Sequence, residues 1–99
     1  HGTHIAGTIG ATGNNGVGVT GINWVSQIMP IRFVDGQGGG SIAAYIQGLN
    51  YAVANGAKIS NNSWTAATAS ALLTEAVENA RDKGHIIVAA AGNSSLNID

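Results

Sequence analysis

The stretch that decides the fold lies near the end of the chain and reads His85-Ile86-Ile87-Val88-Ala89-Ala90-Ala91-Gly92-Asn93. Its short apolar run, enclosed by glycines, is typical of a buried strand in a parallel sheet. A helix is predicted directly before it, because apolar residues recur at helical spacing at positions 69, 73, 76, 77 and 80. Ser70 or Thr68 can cap the start of this helix, and Lys83-Gly84 can end it.

The same alternation of helix and strand continues toward the start of the chain. Residues 58–63 predict a short strand, and the spacing of Ile42, Ile46, Leu49 and Val53 predicts a helix, capped by Ser41 and ended by Asn55-Gly56. Residues 27–34 predict another buried strand, and residues 2–11 predict a helix of small side chains. The order α-β-α-β-α-β predicts an α/β fold, a partial parallel sheet with flanking helices.

This fold predicts where a ligand would bind. In open α/β sheets, ligands bind in the crevice at the carboxyl ends of the strands. Three loops follow such ends, at residues 35–41, 63–68 and 92–99. We expect all three to line one crevice.

Composition limits the classes of function. Charged residues make up 9% of the 99-residue chain and apolar residues 44%, against about 25% charged in typical globular domains. That balance favours the interior of a larger protein. The net charge is −1, so no basic patch favours nucleic acid or an anionic membrane as a partner. No cysteine is present, which excludes disulfides and thiolate metal sites. The sequence shows no signal-peptide pattern and no apolar run long enough for a membrane span.

Two motifs carry a resemblance to a known family. The chain opens with His1-Gly2-Thr3-His4-Ile5-Ala6-Gly7, and Ala89-Ala90-Ala91-Gly92-Asn93 lies near its end. The first resembles the histidine motif, and the second the oxyanion-asparagine motif, of the subtilisin-like serine proteases (subtilases). The resemblance spans almost the whole chain and implies a fragment of their three-layer α/β/α fold.

The resemblance implies roles for both motifs. His1 would be the general base, a task that suits imidazole because it accepts and returns protons near neutral pH. Asn93 would donate a hydrogen bond to the oxyanion, and His4 would be a buried supporting residue. The orienting aspartate and the nucleophilic serine of the family are absent from the 99 residues. We therefore expect residues 1–99 to be a partial peptidase catalytic domain that is inactive alone.

The resemblance also implies a groove for an extended polypeptide. Gly38, Gly39 and Gly40 would pair with the substrate backbone, although these glycines could also form a plain flexible loop. One wall would contain Ser63, Trp64 and Thr65, and the other Ala90, Ala91 and Gly92. Thr65-Ala66 stands where the family usually has one or two glycines, which leaves the side chain preferred before the cleaved bond open. Trp64 could equally be a core residue.

Calcium and location are further implications of the resemblance. Residues 13–21 resemble the calcium loop of many subtilases, in which Asn15, Val17 and Val19 would supply oxygen ligands. No cofactor is expected for catalysis. The parent protein is expected to be secreted and monomeric, with no nucleic acid or membrane partner.

Three alternatives stay open at this point. His1 and His4 lie on one helical face and could bind zinc with His85 or an acid as third ligand. The domain could be a non-catalytic, subtilase-like peptide-binding or scaffold module, which the departure at Thr65-Ala66 favours. The chain could also be a small free-standing α/β binding protein, which its low charge content disfavours.

Overall fold

The computed structural model describes residues 1–66 and 70–95. Its helices are α1 (Gly2–Gly10), α2 (Ile42–Ala54) and α3 (Ala71–Asp82), and its strands are β1 (Ile59–Asn62) and β2 (Ile86–Ala89). The chain divides into two compact units, residues 1–30 and residues 31–99. No helix within the described ranges has the length and apolar character needed to cross a membrane.

The first unit consists of α1 and the loop that returns along its end. The amides of Gly21, Ile22 and Asn23 donate to the carbonyls of Ala11, Thr8 and Ile9, each at 2.9 Å. These bonds satisfy carbonyl groups that the end of a helix leaves without a partner. A side chain at Gly21 would bring its Cβ to 2.5 Å from the Ala11 nitrogen, so this close return requires glycine.

The second unit contains a parallel pair of strands joined through α3. β1 and β2 pair in the register Ile59↔Ile86 to Asn62↔Ala89. α3 packs against β2 and against α2. The α/β class, with a parallel sheet and flanking helices, is therefore confirmed, and the second predicted strand lies at 59–62.

The predicted helix ends agree with the structure. Ser41 Oγ accepts from the Ala44 amide at 3.1 Å, and Ser70 Oγ accepts from the Leu73 amide at 3.3 Å. The alternative cap Thr68 lies outside the described residues. Gly56 and Gly84 follow the two helices with φ of 88° and 82°, the left-handed conformation in which glycine commonly ends a helix.

The core of the second unit lies between α2 and α3. It is built on four buried side chains, Tyr45, Leu49, Ala76 and Ala80. The apolar face predicted for α2 differs slightly from the face that is buried. The prediction included Ile42 and Ile46, which are only half-buried, and omitted Tyr45.

The prediction of a strand at 27–34 was wrong. Within that run, only Val34 forms a β-bridge, antiparallel to Gly40. Ile28 and Met29 are 44% and 39% exposed, and the boundary between the two units falls after residue 30. Residues 27–34 have the composition of a strand, but a strand also needs a neighbouring strand for its backbone hydrogen bonds. The strands β1 and β2 pair with each other.

The expected burial of the last strand was also wrong in extent. The strand forms at 86–89, but Ile86 and Val88 are 57% and 52% exposed. α3 covers one part of this small sheet, and the described residues of the unit provide no second layer over these two side chains.

Candidate active site

A groove in the second unit brings together two of the three predicted loops. It has a volume of about 400 Å³, and its lining comes from the glycine loop and from the segment after β1. The predicted residues in its lining are Gly38, Gly39, Gly40, Trp64 and Thr65. Ser41 and Ser70, which cap α2 and α3, also line it. The sequence separates these segments by more than twenty residues, and the packing of α2 brings them together.

The glycine loop is held by Asp35. Its carboxylate accepts from the amides of Gly39 and Gln37, each at 2.9 Å, and its own amide donates to the Gly39 carbonyl at 2.7 Å. The backbone hydrogen bonds from Gly39 and Gln37 lower the pKa of the Asp35 carboxyl below its ordinary value of 3.8. The loop is therefore an ordered hairpin and not a plain flexible linker. Sequence reasoning missed Asp35, although an Asp before a glycine run is a recognised turn signal.

Gly40 differs from the two preceding glycines in its backbone bonding. The amides of Gly38 and Gly39 are used inside the hairpin. Within residues 1–66 and 70–95, the N–H and C=O of Gly40 make no hydrogen bond. Both polar groups of the Gly40 backbone therefore have no hydrogen-bond partner among the described residues.

Trp64 takes part in both the groove and the core. Its ring packs edge-on against Tyr45 and Phe33, with centroids 4.6 Å and 5.4 Å away. It is half-buried and also lines the groove. One part of Trp64 therefore supports the core and another lines the groove, and its role in binding a substrate stays a prediction.

The second predicted wall follows β2. The Ala90 amide donates to the Asn62 carbonyl at 3.0 Å, which extends the strand pairing by one residue. Ala90, Ala91, Gly92 and Asn93 are all exposed. Gly92 has a φ of 95°, and a Cβ placed on it would lie 3.3 Å from Thr65 Cγ2. Gly92 and Thr65 therefore lie close together, but Ala90, Ala91 and Gly92 are not in the lining of the groove.

Asn93 presents a free amide at the end of this wall. The residue lies in a bend, its side chain is exposed, and it makes no hydrogen bond to the rest of the described chain. The nitrogen can therefore donate to a ligand without first breaking an internal bond. Ser63, by contrast, accepts from Asn61 Nδ2 at 2.8 Å on the exposed side of β1.

A buried polar chain beneath the walls was missed by the sequence prediction. Tyr45 Oη donates to Asn62 Oδ1 at 2.8 Å, and Asn62 Nδ2 lies 3.1 Å from Ser60 Oγ. His85 places Nε2 at 2.9 Å from Ser60 Oγ and Nδ1 at 2.9 Å from the Ala57 carbonyl. Burial raises the pKa of the Tyr45 phenol above 10.0. Polar residues at both 60 and 62, which share one face of a predicted strand, were the available signal.

His1 lies in the first unit, at the N-cap of α1. Its side chain is exposed and makes no capping hydrogen bond, and its carbonyl accepts from the Ile5 amide at 3.1 Å. The imidazole is therefore free to act on a ligand.

The expectation that His4 is buried was wrong. His4 is exposed, and α1 has no buried residue within its own unit. The i, i+3 spacing puts His4 on the same helical face as His1, and that face is open in the first unit.

The structure does not favour the zinc alternative. Both ring nitrogens of His85 are engaged by Ala57 and Ser60, so His85 has no free nitrogen to offer a metal. Throughout residues 1–66 and 70–95, no three His, Cys, Asp or Glu side chains come together as a metal-binding group.

The loop predicted to bind calcium is closed by its own asparagine. Asn15 Oδ1 accepts from the Val17 amide at 3.2 Å, and Asn14, Gly16 and Gly18 all have positive φ. Val17 and Val19 are 76% and 71% exposed. Such a turn presents uncharged oxygens to solvent, which suits the ligand chemistry of Ca²⁺, but three oxygens are fewer than its usual six to eight.

The sequence matches a family model and several known proteins over most of its length. A model of the "Subtilase family" matches residues 1–99. Subtilisin Savinase from Lederbergia lenta is 40% identical over 94 residues, which is 95% of this chain and 35% of that protein. Thermitase from Thermoactinomyces vulgaris is 38% identical over 94 residues, or 95% of this chain and 34% of that protein.

A third relative is the "Minor extracellular protease Epr" of Bacillus subtilis (strain 168). It is 40% identical over 93 residues, which is 94% of this chain and 14% of that protein. The chain therefore spans about a third or less of the length of these curated relatives. With a family model covering every residue, the chain belongs to the subtilase family.

Proposed function

We propose that the chain is part of the catalytic domain of a subtilisin-like serine endopeptidase, which hydrolyses peptide bonds by Ser/His/Asp acyl-enzyme chemistry. The observation that carries the proposal is the groove lined by the glycine loop and by Trp64 and Thr65, with Gly92 close to Thr65. Asn93 follows Gly92, is exposed, and makes no hydrogen bond among the described residues. The family match over residues 1–99 supports the same reaction class.

In this proposal, His1 and Asn93 act on the reacting atoms. His1 takes the proton of the serine hydroxyl as it attacks the peptide carbonyl, and returns it to the leaving amine. Asn93 donates to the oxyanion that forms on the carbonyl oxygen. The serine and the orienting aspartate would come from the part of the relatives' length that residues 1–99 do not match, so the 99 residues alone are proposed to be inactive.

The proposed substrate is a polypeptide in extended conformation. The unengaged N–H and C=O of Gly40 can pair with a substrate backbone by strand addition, which needs free backbone groups and little side-chain bulk. The segment 63–65 would lie along the other side of the peptide, and residues 90–92 would close the pocket for the side chain before the cleaved bond. The Thr65 methyl group lies near Gly92 and would narrow that pocket.

Secretion and a monomeric state are part of the proposal. One relative bears the name of an extracellular protease, which supports a secreted parent. The low charge and the absence of cysteine are compatible with such a location.

We further propose that the parent holds structural calcium, with Asn15, Val17 and Val19 contributing oxygens and other ligands coming from elsewhere. The exposed turn closed by Asn15 supports this. A chelator should then lower the melting temperature of the full-length protein, and Asn15→Ala should reduce that shift. An unchanged melting temperature after chelation would remove calcium from the proposal.

The proposed activity is tested by two histidine variants of the full-length protein. His1→Ala should abolish hydrolysis of a peptide ester, because a serine nucleophile needs its base. His4→Ala is the matched control, since it removes an exposed imidazole from the same helix and should retain hydrolysis. A wild-type protein that binds peptides without hydrolysing them would favour the scaffold alternative, whereas hydrolysis that resists a serine-directed inhibitor would contradict the serine mechanism.

A further inference from the structure

The side chain of Asn62 joins three elements of the second unit. Its Oδ1 accepts from Tyr45 Oη on α2 at 2.8 Å. Its Nδ2 lies 3.1 Å from Ser60 Oγ on the same strand and 3.3 Å from the Val88 carbonyl on β2. Asn62 is 7% exposed, so these partners replace water, and losing one would leave a buried polar group unsatisfied.

His85 gives this set of hydrogen bonds a direction. The Ala57 carbonyl can only accept, so His85 Nδ1 must carry the hydrogen of their 2.9 Å contact. Ser60 Oγ accepts from Asn62, and the acceptor that its own hydrogen finds is His85 Nε2, at 2.9 Å. An imidazole that donates from Nδ1 and accepts at Nε2 satisfies every member of the chain. The donor order is Tyr45 to Asn62 to Ser60 to His85 to Ala57.

This chain of hydrogen bonds adjoins residues of both predicted walls. Asn62 is the last residue of β1, and the wall residues Ser63, Trp64 and Thr65 follow it. The carbonyl of Asn62 accepts from the amide of Ala90, the first residue of the opposite predicted wall. The ring of Tyr45, whose hydroxyl binds Asn62, also packs against Trp64 at 4.6 Å between centroids. A rotation of the Asn62 side chain would therefore disturb both walls together.

We propose that Asn62 is a positioning residue for peptide binding, held in a single orientation by the hydrogen bonds of Tyr45, Ser60 and His85. Asn62 is buried beneath the groove and acts through the two walls, without touching the peptide. The inference rests on the proposed function for the identity of the ligand, an extended polypeptide.

The first test measures peptide binding in the full-length protein with His1→Ala, so that the peptide is not cleaved. Tyr45→Phe keeps the ring that packs on Trp64 and removes the hydroxyl alone. We expect it to raise the dissociation constant of an extended peptide by up to about tenfold, the equivalent of one hydrogen bond. Tyr51→Phe is the matched control, because Tyr51 is 59% exposed on the same helix, and it should leave the constant unchanged.

A second variant and a spectroscopic signature keep the test independent of folding. Asn62→Leu keeps the branched arrangement of heavy atoms but is larger and forms no side-chain hydrogen bond. It should weaken binding at least as much as Tyr45→Phe at a temperature where both remain folded. Nitrogen-15 NMR of labelled histidine should show His85 protonated at Nδ1 and unprotonated at Nε2, and Ser60→Ala should shift the Nε2 resonance. Equal binding by the Tyr45→Phe and Tyr51→Phe variants would overturn the positioning role, as would the opposite tautomer of His85.

The failure of this inference is distinguishable from failure of the proposed activity. Hydrolysis is measured on the wild-type His1 protein, whereas the dissociation constants are measured without cleavage. If peptide binding depends on Asn62 but no peptide is hydrolysed, this inference is supported and the protease assignment is rejected.

Discussion

A methyl group added to the Cα of Gly92 would lie 3.3 Å from Cγ2 of Thr65. The backbone of Gly92 also has a φ of 95°, a region that side chains other than hydrogen rarely adopt. Two separate restrictions, one of space and one of conformation, thus apply to Gly92 where it approaches Thr65.

Gly92→Ala should lower the free energy of unfolding by at least about 1 kcal/mol, mainly through the positive φ. Adding Thr65→Ser removes the nearby methyl group and should restore only the steric part of that loss. Urea denaturation of both single variants and of the double variant measures the two parts. Full recovery in the double variant would show that crowding alone requires glycine there.

Asn93→Leu should reduce kcat of the full-length protein by about 10²- to 10³-fold, the usual effect of losing an oxyanion donor, subtilisin among the measured cases. KM should change little, because the oxyanion exists only in the transition state. Steady-state kinetics separates the two constants. Ser94→Ala is the neighbouring control and should keep near wild-type kcat. A defect in KM alone would remove Asn93 from the oxyanion role.

Asp35 should stabilise the glycine loop when the pH is above the ordinary pKa of its carboxyl, but not when the pH is far below that pKa. The amides of Gly39 and Gln37 favour the ionised carboxylate and lower its pKa below 3.8 in the folded state. Its contribution is therefore complete above pH 3.8 and disappears as the pH falls through the lowered folded-state pKa. Asp35→Asn should be less stable than wild type at neutral pH, and the difference should shrink in acid. Urea midpoints at both pH values test this, and a constant difference would contradict it.

Tyr45 should make the fold sensitive to alkali. Burial raises the pKa of its phenol above 10.0, so the unfolded chain loses this proton at lower pH than the folded chain does. The stability due to the protonated phenol is complete below pH 10.0 and is lost as the pH rises toward the folded-state pKa. Tyr45→Phe should flatten the decline of stability in that range, as followed by circular dichroism. An equally steep decline in the variant would assign the effect to other groups.

Local signals were the most predictable part of the fold. Ser41, Ser70, Gly56 and Gly84 act through bonds and dihedral angles within a few residues, so their roles as helix ends can be read from sequence. The strands at 59–62 and 86–89 lie inside the predicted segments 58–63 and 85–91, because a turn or helix signal encloses each segment.

What depends on distant partners was harder to predict. The run 27–34 has the composition of a strand, yet pairing depends on neighbours that a local pattern does not reveal. The hydrogen bonds of Asn62 reach residues 17 and 26 positions away, and those of His85 span 25 and 28. For the candidate site, five of the predicted residues, Gly38, Gly39, Gly40, Trp64 and Thr65, line the groove, and Ser63, Ala90, Ala91 and Gly92 do not. The buried polar chain was not predicted.

The parallel pairing of β1 with β2 has a consequence for the order of folding. Ile59 and Ile86 are 86 − 59 = 27 positions apart, and closing such a loop costs chain entropy before the strands gain any hydrogen bond. α3 shortens the span that must be closed, so its docking on α2 should come before the strands join. The four elements from α2 to β2 would then open and close as one cooperative unit. We expect the amides of Ile86 and Ala90, which donate to the carbonyls of Lys58 and Asn62, to exchange with solvent hydrogen at the same rate as the core amides of α3.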